Sequence, residues 1–168
     1  MEFDKVIQSR ETVRKFDGKK PTEKELGAIL EAGRLAPTAM NAQPQRIFVL
    51  SSEEALAKMD KVHRGRYGAG MALLVCVDTD VAASINNEIH PDVDGAIVAT
   101  HMMLKAADIG VDTVWLGIFN GKEVKEEFGL SSNLVPVCFL DLGFRTPDYA
   151  GSPMHKKRNP IENMIKRV

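Results

Sequence analysis

Arg10, Thr12 and Arg14 alternate along a short segment near the start of the chain, and Lys156, Lys157 and Arg158 cluster near its end. Guanidinium groups present paired donors to phosphate oxygens, and a hydroxyl adds another, so these residue types together suit a phosphate. A solvated charged surface would carry the same residues, and the pattern alone leaves both readings open. A second candidate is the stretch from Ala36 to Pro44, which holds Pro37, Thr38, Asn41 and Gln43. Its prolines stiffen the backbone, and its amide side chains both donate and accept, as reading the edge of a heteroaromatic ring would require. An ordinary polar turn would look similar. A third is Thr113–Phe119, with the only tryptophan, Trp115, followed by Leu116 and Gly117. A glycine after an apolar strand lets a ligand approach the backbone, although Trp115 could equally be core.

No side-chain catalytic set stands out. His63, His90, His101 and His155 lack metal-ligand spacing with Cys, Asp or Glu. No G-x-S-x-G, Walker A or G-x-G-x-x-G sequence occurs. If the chain is an enzyme, a bound cofactor does the chemistry.

The elements that must position these residues can be read in outline. Phe3, Val6 and Ile7 predict a short first helix, and Arg10–Phe16 an extended segment. Pro21–Ala36 predicts a helix opened by a Thr22–Glu25 capping box and stopped by Pro37. Strands are expected at Arg46–Ser51, Met71–Val77, Thr113–Leu116 and Leu134–Leu142, and helices at Glu53–Lys61 and Lys122–Phe128. Pro136 should lie near an edge or a strand start. Pro91–Asp108 predicts a long helix, apolar around most of its circumference and therefore buried on several sides. The order of elements indicates α+β or α/β, with one sheet covered by helices.

The 168 residues fit one domain. Twenty-two basic and 23 acidic residues give a net charge of −1, which argues against nucleic acid as a partner. No apolar run is long enough to span a bilayer, and the charged N-terminus lacks a signal-peptide core. Cys76 and Cys138 sit in apolar runs and read as buried reduced thiols, which together with the other features points to the cytoplasm.

The motifs occur in a telling order: SRETVRKF (Ser9–Phe16), LAPTAMNAQPQ (Leu35–Gln45), an apolar helix leading into GVDTVWLGIF (Gly110–Phe119), and KKRNPIENMI (Lys156–Ile165). In this the chain resembles the nitroreductase family of flavin enzymes over almost its whole length. The resemblance implies an α+β fold with a mixed central sheet flanked by helices. It also implies an intertwined homodimer with FMN at the interface. Arg10, Thr12, Arg14 and Arg158 then match residues around the FMN phosphate and ring edge. Pro37, Thr38, Ala39, Asn41 and Gln43 match a loop that reaches FMN from the partner chain. Gly117 matches the residue whose backbone N–H faces flavin N5, with Trp115 and Leu116 beside the ring. Glu11, an acid between two of these positions, should point away. The implied activity is NADH- or NADPH-driven reduction of nitroaromatic, quinone or similar electron-poor acceptors by a ping-pong scheme. The alternatives are a flavin-binding or redox-sensing protein with little turnover, a specialised relative such as a dehalogenase, and a structural protein without flavin.

Overall fold

The computed structural model describes residues 1–84 and 88–168. Among the described residues five α-helices are present: α1 (Phe3–Ser9), α2 (Glu23–Arg34), α3 (Glu53–Val62), α4 (Pro91–Asp108) and α5 (Gly121–Phe128). Four strands, β1 (Gln45–Leu50), β2 (Met71–Asp78), β3 (Asp112–Leu116) and β4 (Leu134–Gly143), form one sheet in the order β1-β2-β4-β3. All three ladders are antiparallel. The sheet is thus antiparallel where a mixed one was expected; the parallel pairing of Thr12 with Thr113 is an isolated bridge outside the strands, because the N-terminal segment meets β3 over too short a stretch to form a ladder.

Local chemistry accounts for the helix starts. At α2 the Thr22 hydroxyl accepts from the Glu25 N–H, and the Glu25 carboxylate accepts from the Thr22 N–H at 2.7 Å. Ser52 caps α3 and Asn120 caps α5 in the same way, each accepting from a free N–H of the first turn. Gly129 ends α5 with φ of +63°, a left-handed cap that costs a glycine little.

Two cores cover the two faces of the sheet. Leu26 and Ile29 of α2, and Val98, Ala99 and Met102 of α4, pack on Leu73, Val75, Cys138 and Leu140. On the other face Leu56 and Met59 of α3 and Val124 of α5 pack on Leu74, Cys76, Phe139 and Leu116, with Val13 of the extended N-terminal segment. Every residue of β2 is therefore buried, which explains its unbroken apolar run. Cys76 and Cys138 lie in opposite layers, and burial holds both thiols protonated, pushing Cys76 up to about 12.

Pro136 falls near the start of β4, an inner strand. Its missing N–H costs no ladder bond to β3, whose pairing begins only at Phe139. The register against β2 also slips here, leaving Val137 as an extra residue. Helix α4 comes down on this bulge at Gly95, where a Cβ would stand 2.6 Å from a Val137 methyl. The expectation for α4 needs correction. Within the chain one face is buried, at Val98, Ala99, Met102 and Ala106, while Val93 is 55% exposed and Ile97, Met103 and Leu104 are half-buried. No helix among the described residues is long and apolar enough to cross a membrane.

Candidate functional site

The Val13 N–H donates to the Thr113 carbonyl at 2.9 Å, which lays residues 10–14 in extended form along β3, an edge strand. Side chains alternate in such a segment. Val13 turns into the core and is fully buried, and Arg10, Thr12 and Arg14 line one cleft. The opposite wall is the segment after β4, which contributes Ser152, Met154, His155 and Arg158. The cleft holds about 210 Å³ and offers three guanidinium groups, two hydroxyls and an imidazole, with no carboxylate on its wall. Arg10 lies 3.5 Å from the Thr12 hydroxyl. Arg158 is aimed by its own backbone, donating to the His155 and Lys157 carbonyls at 2.6 and 2.7 Å. The two arginine groups that lie far apart in sequence are thus brought together.

Three ties hold the cleft's second wall to the first. Tyr149 donates its hydroxyl to the Thr12 carbonyl at 3.0 Å. Lys15 pairs with Asp148, and a His155 ring nitrogen bonds the Gln8 carbonyl at 3.0 Å. Glu11 points away from the cleft, accepting from Arg145 at 3.0 Å and from the Ser152 N–H.

Gly117 lies on the same sheet edge, just past β3. Four residue steps along the strand separate it from Thr113, roughly 13 Å at ordinary strand rise. Gly117 and Ile118 are exposed, so backbone is open to a ligand there. Its φ is not in the left-handed region. What restricts it is Trp115, whose indole nitrogen would lie 3.2 Å from a Cβ at position 117. Trp115 is half-buried on the α4 side of β3, and Leu116 points to the other face and into the core.

The Pro37–Gln43 loop stands elsewhere. It feeds β1, the opposite edge of the sheet. Met40, Asn41 and Gln43 adopt φ of +51°, +55° and +51°, a region that costs a side-chain-bearing residue about 1 kcal/mol. Two bonds brace it: the Thr38 hydroxyl accepts from the Gln43 N–H, and the Asp94 carboxylate accepts from the Ala39 N–H, both at 3.0 Å. Asp94 is buried, and the Gly95 contact is what brings it there. In sequence Asp94 is merely an acid in the first turn of α4. The tie to Ala39 spans 55 residues and left no local signal. Pro37, Asn41 and Gln43 remain exposed.

A central antiparallel sheet between two helical layers is the fold this chain shares with solved nitroreductase-family proteins. The chain belongs to the nitroreductase family, whose model matches residues 7–67 and 65–144. A nitroreductase family protein of Clostridium difficile 630, known from its crystal structure, superposes with a TM-score of 0.92 at 33% identity, covering 99% of this chain and 98% of that one. A protein of Archaeoglobus fulgidus provisionally named NADH dehydrogenase/NAD(P)H nitroreductase is 28% identical over 147 residues, 83% of each chain. A provisionally named nitroreductase from Exiguobacterium sibiricum, crystallised in complex with FMN, shares the fold with a TM-score of 0.86 at 22% identity, over 100% of this chain and 98% of that one.

Proposed function

We propose that the protein is a cytoplasmic FMN-dependent oxidoreductase, a single domain spanning residues 1–168 that works as a homodimer. It oxidises NADH or NADPH and reduces a nitroaromatic, quinone or similar electron-poor acceptor, the two substrates using one site in turn. The observation that carries this reading is the acid-free cleft of Arg10, Thr12, Arg14 and Arg158, placed on the same edge as Gly117. Such a cleft fits a phosphomonoester, and the open edge beyond it fits a flat ring attached to that phosphate. The relatives' names, in which NAD(P)H and nitroreductase recur, support the same reading.

Bound FMN would supply hydride acceptance and donation, chemistry that none of these side chains performs. The chain's own part is binding and orientation. Arg10, Arg14 and Arg158 neutralise the phosphate charge, with Thr12 as a hydroxyl donor. The exposed backbone at Gly117 would offer its N–H to the flavin, where a fixed donor would favour electron density arriving at the ring. Trp115 flanks that glycine. Pro37, Thr38, Ala39, Asn41 and Gln43 approach the ring from the partner subunit.

The direct test is the cofactor itself. The purified protein is expected to be yellow and to release FMN on denaturation; release of FAD, or of no flavin, would refute the reading. Arg14→Ala should weaken FMN about 10- to 100-fold, the loss of a charge-assisted hydrogen bond worth about 1.5–3 kcal/mol, and leave riboflavin nearly unchanged. Equal weakening of both ligands would place Arg14 away from the phosphate.

A second expectation concerns Gly117. A valine there drives a Cβ against the Trp115 indole, so one of them must shift. Gly117→Val is expected to fold and to slow flavin reduction by NADH or NADPH about tenfold or more, since misaligned donors lose much of their effect. Stopped-flow reduction of FMN-loaded variant at the wild-type rate would remove Gly117 from the N5 position.

A further inference from the structure

We propose that Arg145 is a positioning residue for the phosphate cleft, acting by holding Glu11 in a closed ion pair that faces away from the cleft and seats its second wall. The inference rests on the FMN reading above and deepens it.

Glu11 is an awkward neighbour for an anion site. It lies between Arg10 and Thr12, and its side chain is only 10% exposed, so water screens its charge poorly. Two groups dispose of that charge. Arg145 donates from Nη1 to Glu11 Oε2 at 3.0 Å. The Ser152 N–H donates to Glu11 Oε1 at 2.6 Å. Asp112 fixes Arg145 from behind, accepting from its backbone N–H at 2.8 Å and from Nε at 3.0 Å. Tyr149 lies under the guanidinium, 5.4 Å from ring centre to Cζ. Arg145 is thus held on one side by Asp112 and spends its remaining edge on Glu11.

Ser152 belongs to the cleft wall, so the pair also sets where that wall stands. The wall has other ties to the N-terminal segment, through Lys15–Asp148, Tyr149–Thr12 and His155–Gln8, and these remain when Arg145 is lost. The specific consequence of losing Arg145 is therefore a poorly hydrated carboxylate at position 11 that keeps the Ser152 N–H but has no counter-charge. Arg10, its neighbour in sequence and a wall of the cleft, also lines the hollow that Glu11 borders, and Arg14 lies three residues on. Glu11 would draw on them and leave less for the phosphate.

The apo forms of wild type, Arg145→Ala, Glu11→Gln and the double variant, titrated with FMN and with riboflavin by flavin fluorescence quenching, test this. Arg145→Ala is expected to weaken FMN about tenfold or more while riboflavin stays within about twofold, because only the phosphate senses Glu11. Glu11→Gln in the Arg145→Ala background should recover most of the lost FMN affinity, since the carboxylate between Arg10 and Thr12 is gone while Asp112 keeps its bond from the backbone N–H of residue 145. A purely structural role for Arg145 predicts no such rescue. Should alanine prevent folding, Arg145→Gln, which keeps a donor for Glu11 without the charge, is read in the same way. The inference is overturned if Arg145→Ala keeps the wild-type preference for FMN over riboflavin, or if the double variant binds FMN as weakly as Arg145→Ala. A wild type that binds riboflavin as tightly as FMN would instead overturn the FMN reading, and this inference with it.

Discussion

Replacing Asp141 by asparagine is expected to stabilise the protein, and by more as the pH rises from about 4 to about 8. Asp141 lies in β4 between Ala72 and Val114, is fully buried, and has no hydrogen-bond partner for either carboxylate oxygen among the described residues. Burial penalises its charged form and pushes its pKa from 3.8 up to about 8; Arg66 opposes the shift and Asp60 adds to it. Below pH 3.8 the acid is protonated whether the chain is folded or not, and it costs nothing extra. Between 3.8 and 8 the unfolded chain is ionised and the folded one is not, so folding takes up a proton and stability falls as pH rises. Above 8 the penalty is complete. At about 1.4 kcal/mol per pH unit, the interval from 3.8 to neutral pH makes the cost roughly 4 kcal/mol. Asparagine keeps the size and the buried polar group but cannot ionise. Urea unfolding at pH 5, 7 and 8.5 should show the gain of Asp141→Asn growing across the series. Parallel stability curves for the two proteins would mean that Asp141 is solvated or paired in solution.

Asp141 also shows where sequence reading stops. In LVPVCFLDL it occupies an alternate position, which on a strand with one wet face would point to water. Both faces of β4 are covered, one by α4 and the other by the layer of α3, α5 and Ala69, most of it distant in sequence. The elements themselves were legible because their causes are local: the Thr22–Glu25 box, the proline after α2, the continuous apolar run of β2. Arg10, Thr12 and Arg14 were legible as a group because alternation puts them on one side. Glu11 was expected to point away, but its reason was hidden, since Arg145 lies 134 residues further on. The same holds for Asp94, which braces a loop 55 residues earlier. Strand order was the largest gap: nothing local says that the Pro37–Gln43 loop and Gly117 belong to opposite sheet edges.

That separation leads to an all-or-none expectation for mixed dimers. β1 and β3 are the outer strands, with β2 and β4 between them, so about 14 Å of sheet separates the loop's edge from the cleft's edge. A single chain does not bring Asn41 to the flavin that its own Arg14 would hold. The loop is nevertheless built at a cost, with three left-handed side-chain-bearing residues braced by Thr38 and Asp94, and its amides remain exposed. Conformations of that kind persist where something uses them. The half-covered apolar face of α4, with Val93 exposed, supplies a surface on which a second copy can pack. In a two-fold dimer each cleft then receives the partner's loop. Arg14→Ala and Asn41→Ala homodimers should each lose FMN affinity at both sites. A heterodimer isolated with two different tags carries both defects at one site and neither at the other. It should bind one FMN per dimer with wild-type affinity and turn over at half the wild-type rate. Asn41→Gly, which tolerates the left-handed backbone, separates loss of the amide from collapse of the loop. A heterodimer no better than its parents, or an FMN-loaded protein that sediments as a folded monomer, would show that each chain completes its own site.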